Sequence, residues 1–157
     1  AWGRGNGFIA LGIGLCLVEW PADREDRRTW IKVHDAHLRK LLKHQDPTGC
    51  WHQVVDHPES YRELSSTCMI TWAMARGVRG GWLDRATFDP AIRQGWDAIL
   101  QRVASNGRLI DICTGTGKMK SLREYYDREA ILGLDPRGGA MSMLIAAEMA
   151  EYLAKRP

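Results

Sequence analysis

Phenylalanine is scarce in this sequence, with two residues against seven tryptophans in 157. Charge of one sign is also scarce. The net charge of +3 is too small to suggest a nucleic-acid partner. There is no low-complexity tract, and the composition is that of a globular chain, 45% hydrophobic and 26% charged. The apolar stretch at residues 8–18 is too short to span a bilayer, which takes about 20 residues. It does not read as a secretory leader either. Trp2, Asn6 and three glycines stand where a basic segment belongs. The cysteines, Cys16, Cys50, Cys68 and Cys113, are too irregularly spaced for a disulfide frame. Cys16 and Cys68 sit within apolar runs and read as buried thiols.

The opening stretch, Trp2-Gly3-Arg4-Gly5-Asn6-Gly7-Phe8, holds the richest chemistry. Glycines let the backbone approach a ligand closely. Arginine presents a planar fork of donors that suits a carboxylate, and Trp and Phe offer flat faces for a ring. The stretch reads as a loop gripping a flat, acidic, ring-shaped molecule just before a helix. The plainer reading is a glycine turn with a solvated Arg4 and core aromatics. Two other glycine motifs fail. Residues 5–10 fit G-x-G-x-x-A, but no strand is legible before them, nor one ending in an acid after them. Thr114-Gly115-Thr116-Gly117-Lys118-Met119 departs from a P-loop at Ile112 and at Met119.

Three mostly apolar helices are predicted, over 7–20, 68–75 and 140–153. Two amphipathic ones are predicted, over 27–45 and 89–103. Helices without a polar face are buried all round. In the first amphipathic helix Trp30, Val33, His34, His37, Leu38, Leu41 and Leu42 recur at helical spacing. Ser65 or Ser66 is suited to cap the second apolar helix, and Pro90 to open the fourth. Residues 108–113 are β-prone, and 114–120 form an irregular glycine loop. His34 with His37, and Cys50 with His52 and His57, lack the further ligands that zinc needs, so no metal is assigned. Polar loops precede each apolar helix. This alternation of buried and half-wet helices is what concentric helix hairpins require, with the loops gathered at one end. The fold class is therefore all-α. Three inner and two outer helices are fewer than a closed ring needs.

Four motifs in order carry a resemblance to a known family: the opening stretch, then Gly49-Cys50-Trp51-His52-Gln53-Val54-Val55-Asp56, Ser60-Tyr61-Arg62-Glu63-Leu64-Ser65-Ser66-Thr67, and Asp135-Pro136-Arg137-Gly138-Gly139-Ala140-Met141. The chain resembles glycoside hydrolase family 105, the unsaturated rhamnogalacturonyl hydrolases, related to the unsaturated glucuronyl hydrolases of family 88. The resemblance covers essentially the whole chain and implies part of an (α/α)6 barrel. It implies an enzyme acting on oligosaccharides left by lyases, with a 4,5-unsaturated uronic acid at the non-reducing end. In that family an Asp protonates C4 and activates water for C5, and the resulting hemiketal collapses to release the sugar.

By this resemblance Trp2, Arg4 and Phe8 line the unsaturated-sugar subsite, and Asn6 braces the loop. Phe8 stands where many members have a second Trp. Trp51 and Gln53 of the second motif, and Glu63, Ser65 and Thr67 of the third, complete the candidate substrate-binding set. Glu63 and Thr67 suit helix capping equally well. The family's catalytic Asp precedes the Trp-Gly-Arg motif, so no catalytic residue is assigned. Asp56 and Glu63 are the loop carboxylates to consider as substitutes. The expectation is the C-terminal part of a longer, cytoplasmic protein, inactive alone, with apolar edges that favour self-association. An oligosaccharide is the expected partner, with no cofactor, nucleic acid or membrane. The rival reading is a non-catalytic sugar-binding or scaffold domain derived from the same barrel. Replacing Arg4 by Ala is expected to remove activity and spare the fold.

Overall fold

The computed structural model describes residues 1–115 and 117–154. The elements are α1 (Gly3–Glu19), α2 (Arg27–Leu42), α3 (Leu64–Arg79), α4 (Arg85–Leu100), β1 (Leu109–Cys113), α5 (Leu122–Tyr126), β2 (Ala130–Gly133) and α6 (Pro136–Ala154). Helix α3 is the centre. It packs against α1 on one flank, α6 on the other and α4 behind, while α2 backs α1. Two outer helices thus stand behind an inner row of three, as the alternation of apolar and amphipathic segments requires.

Every residue of α3 from Leu64 to Ala75 is buried. Its polar residues fit because most of their hydroxyls turn back on the chain. Ser66 Oγ and Thr67 Oγ1 donate to the Glu63 carbonyl at 3.0 and 2.9 Å. Close approach to α1 depends on Gly7, where an added Cβ would lie 2.7 Å from Met69 Cε. A side chain there would force the two helices apart.

Helices α1 and α6 are not buried all round. On α1, Phe8, Ile9, Leu15 and Cys16 are exposed, and on α6 Met143 is 75% exposed. Each has α3 on one flank and no inner helix on the other among the described residues, and these apolar side chains are exposed. Cys16 is therefore an exposed thiol, unlike Cys68, Cys50 and Cys113, which are buried.

Several boundaries move for local reasons. Helix α1 begins at Gly3, so Arg4 lies in a helical first turn and not in a loop before one. The cap of α3 is Glu63, whose carboxylate accepts from Ser65 N and Ser66 N, so neither serine is the capping residue. In α4 the cap is Asp84, which accepts from Thr87 N at 2.8 Å. Pro90 therefore lies inside that helix. It forgoes one hydrogen bond on an exposed side. Helix α6 starts at Pro136, earlier than its apolar run, because Asp135 Oδ1 accepts from Gly138 N at 2.7 Å.

The β-prone run forms β1 and pairs antiparallel with β2, which the sequence pattern did not mark. The pair has an irregular register between Leu109 and Ile112, with Asp111 at φ 61°. The glycine loop anticipated at 114–120 includes Thr116, which lies outside the described residues. Its described residues carry neither helix nor strand. Among the described residues no helix is long and apolar enough to cross a membrane.

Candidate functional site

The first turns of α1, α3 and α6 meet around a cavity of about 400 Å³. Its wall is Arg4 and Phe8 from α1, Ser65 and Met69 from α3, and Pro136, Arg137, Ala140 and Met141 from α6. Helix N-termini carry partial positive charge. Those of α3 and α6 are met by the Glu63 and Asp135 carboxylates, whereas α1 has no side-chain cap.

Arg4 is only 1% exposed. Its Nε donates to Ser65 Oγ at 2.8 Å and its Nη1 to the Gly115 carbonyl at 2.9 Å. Its Nη2 lies 3.6 Å from Glu63 Oε1 and has no hydrogen-bond partner among the described residues. A buried guanidinium nitrogen without an acceptor is costly, and the Glu63 carboxylate close by offsets part of that cost through its charge. Glu63 supplies the counter-charge but no chemistry toward the cavity. It is wholly buried, and it accepts from Ser65 N, Ser66 N and Cys113 N at 3.0, 2.7 and 3.1 Å. The Ser65 hydroxyl links the two, accepting from Arg4 and donating to Glu63 at 2.8 Å.

Arg137 is the second cation of the wall, half-exposed, with Nη2 donating to Asp135 Oδ2 at 2.8 Å. Burial pushes the Asp135 carboxyl up, but the bonds from Arg137 and from Gly138 N–H outweigh it and hold it below the usual carboxylate range. The described residues lining the cavity include no carboxylate.

Trp2 does not line this cavity. Its ring meets Tyr125 at 5.9 Å, tilted by 43°, and Arg128 lies 5.2 Å above it and 5.7 Å from Tyr125. Trp2 and Tyr125 instead border a second cavity of about 350 Å³ with Met119, Lys120 and Leu122. Arg128 was not singled out in the sequence. Its partner Trp2 is far away in the chain, and only folding makes the stack. Arg137 was within reach of sequence reasoning, since it follows a polar turn at the start of an apolar helix, as Arg4 does.

The remaining candidates divide. Phe8 and Ser65 are in the wall beside Arg4. Asn6 braces the first turn, donating to the Trp2 carbonyl at 2.8 Å and bonding His37 Nε2 at 3.2 Å. Trp51 is a core residue. Its ring is wholly buried and its indole N–H donates to the Leu41 carbonyl at 2.7 Å, leaving no face for a sugar. Thr67 is equally buried and holds Trp51 N at 3.1 Å. Gln53 is buried with its Nε2 on the Tyr125 carbonyl at 3.4 Å and its Oε1 without a partner among the described residues. None of these three borders either cavity. Asp56 is exposed and borders a separate depression beside Lys43 and Pro58.

Among the described residues no three His, Cys, Asp or Glu side chains are grouped to hold a metal. His52 is spent on Asp46, 3.2 Å away, and on the Ser60 carbonyl. His34 lies between the Ala10 carbonyl at 3.0 Å and the Trp82 indole N–H at 3.2 Å.

A family model, Glycosyl Hydrolase Family 88, matches residues 1–153. The chain belongs to this family. The unsaturated 3S-rhamnoglycuronyl hydrolase of Formosa agariphila is 32% identical over 110 residues, 69% of this chain and 29% of that protein. The unsaturated rhamnogalacturonyl hydrolase YesR of Bacillus subtilis is 29% identical over 127 residues, 79% of this chain and 34% of that protein. The crystal structure of a possible member of the GH105 family from Klebsiella pneumoniae superposes with a TM-score of 0.88 at 28% identity, covering 97% of this chain and 40% of that one. The chain thus spans under half the length of these relatives. Its hairpins are a portion of the (α/α)6 barrel of families 88 and 105.

Proposed function

We propose that the whole protein is a glycoside hydrolase that acts on oligosaccharides ending in a 4,5-unsaturated uronic acid. The cavity between the first turns of α1, α3 and α6 is this chain's share of the substrate pocket. The observation that carries the reading is the Arg4 guanidinium, buried in that wall with one nitrogen lacking a hydrogen-bond acceptor among the described residues. A uronate carboxylate fits it in charge, in hydrogen bonding and in shape. Phe8 and Met69 supply an apolar surface beside it for the sugar ring.

The reaction we assign is hydration of the vinyl ether. A proton goes to C4, water adds at C5, and the hemiketal opens to release the neighbouring sugar. Arg4 binds and orients the carboxylate at C5. Ser65 and the Gly115 carbonyl hold the plane of the guanidinium. The acid–base group is an Asp outside this chain. Glu63 is fully committed to capping and Asp56 lies away from the cavity, so neither substitutes for it. The chain is then the C-terminal part of the barrel, inactive alone, in a cytoplasmic enzyme. Its apolar edges on α1 and α6 are covered by the remaining helices or, in isolation, by a second copy.

The test is a mixture of lyase-generated unsaturated disaccharides offered to the whole protein. Loss of the ultraviolet absorbance of the conjugated uronide is expected. Absorbance that stays constant on every such substrate contradicts hydrolysis and leaves a sugar-binding role.

A further inference from the structure

The structure assigns a positioning role to His37, on the outer helix α2. Through Asn6 it holds the first turn of α1, and with it Arg4, in place at the cavity. This rests on the uronate reading of Arg4. The start of α1 is a poor helix by composition. Its first five residues include Gly3, Gly5 and Gly7, and glycine is among the weakest helix formers. Its N-cap residue, Trp2, makes no side-chain cap. The turn is therefore held from outside. On one side Gly3 N donates to the Gln53 carbonyl at 2.8 Å. On the other the Trp2 carbonyl accepts from Asn6 twice, from N at 3.1 Å and from Nδ2 at 2.8 Å.

His37 orients that amide. With Asn6 Nδ2 on the Trp2 carbonyl, Asn6 Oδ1 faces His37 Nε2, 3.2 Å away. Nε2 therefore carries the ring proton and donates. Burial pushes the imidazole below its ordinary value, so the ring is neutral and Nδ1 is bare. Nδ1 is buried with no partner among the described residues. For packing alone, a leucine would serve better than a ring with an unpaired buried nitrogen. What the imidazole adds is its one donor to Asn6. Arg4 and Phe8 each lie two residues from Asn6, on the part of the turn that lines the cavity. The outer helix thus grips the turn from behind while its front meets the ligand.

His37→Leu, His37→Gln and Asn6→Leu are compared with the unsubstituted whole protein, each with the Asp proposed as its acid–base group replaced. Urea unfolding, amide hydrogen exchange at residues 3–7 and calorimetric affinity for an unsaturated uronyl disaccharide are measured. His37→Leu is expected to keep the unfolding midpoint, to speed that exchange about tenfold and to weaken binding about fivefold. His37→Gln, whose amide can donate to Asn6, should restore exchange and binding. Adding His37→Leu to Asn6→Leu should weaken binding no further, because the two residues act through one chain of bonds. Unchanged exchange in His37→Leu, or full affinity despite faster exchange, overturns the role and leaves Arg4 as the uronate anchor. Loss of stability and affinity together, with no rescue by Gln, marks His37 as a core residue and also overturns it. Failure of the unsubstituted protein to bind overturns the uronate reading and this one with it.

Discussion

Arg4 and Ser65, on neighbouring inner helices, are joined by a 2.8 Å bond from Nε to Oγ. That bond fastens the start of α1 to the start of α3. It also turns a cation of the first motif into the wall of a cavity whose other side is built by the fourth. The site is thus made where three helix beginnings meet, and each beginning comes from a different one of the quoted motifs.

Replacing Arg4 is expected to affect both binding and stability. The sequence suggested a substitution neutral to the fold, but a guanidinium that is 1% exposed beside a wholly buried Glu63 is not neutral. Arg4→Ala leaves that carboxylate buried without its counter-charge. It is expected to cost about 3 kcal/mol in urea unfolding and to remove uronate binding. Arg4→Lys keeps the charge but not the fork. It should recover part of the stability and little of the binding. An Arg4→Ala protein of full affinity would show that the cavity does not use this cation.

Trp51 should behave as a core residue. Trp51→Phe removes the bond to the Leu41 carbonyl and part of the buried ring. A loss of about 2 kcal/mol is expected, with ligand affinity unchanged. A drop in affinity without a drop in stability would return Trp51 to the binding set.

His34 sets a pH dependence on stability. Burial pushes its imidazole down to about 4. It is held neutral, with Nε2–H donating to the Ala10 carbonyl and Nδ1 accepting from Trp82. Unfolding returns it to the ordinary value of about 6.5, so between those two values the unfolded chain binds the extra proton. Stability therefore falls as pH drops through that window. The loss is about 2 kcal/mol between pH 6.5 and 5, and it is complete near pH 4. The His37 ring, also lowered by burial, adds in the same direction. Urea unfolding across that range should show the decline, and His34→Gln should flatten it. A profile that is flat already in the unsubstituted protein would contradict the assignment.

The helices were legible because hydrophobic periodicity is local, and so was their division into an inner and an outer set. The motifs were legible for the same reason, and the comparisons agree with the family they suggested. What escaped depends on contacts between distant residues. Four residues at 130–133 become a strand only because β1 lies beside them. Arg128 becomes part of an aromatic stack only when Trp2 arrives. Trp51 and Thr67 sit in motifs that also carry site residues, yet alternate positions of one loop or helix face opposite ways. Sequence order alone cannot say which of them faces the cavity. Glu63 reads equally as a ligand contact and as a cap until the Ser65 and Ser66 amides are seen pointing at it.

The central claim is that the Arg4 guanidinium holds the carboxylate of an unsaturated uronic sugar. The most direct measurement compares the affinity of the whole protein, with the Asp proposed as its acid–base group replaced, for an unsaturated uronyl disaccharide and for the methyl ester of that disaccharide. Esterification removes the charge and little else. A loss of about tenfold or more on esterification is expected, and that loss should shrink in Arg4→Lys, which keeps the charge without the fork, and vanish in Arg4→Ala. Equal affinity for the acid and its ester, or a loss that persists without Arg4, would contradict the account.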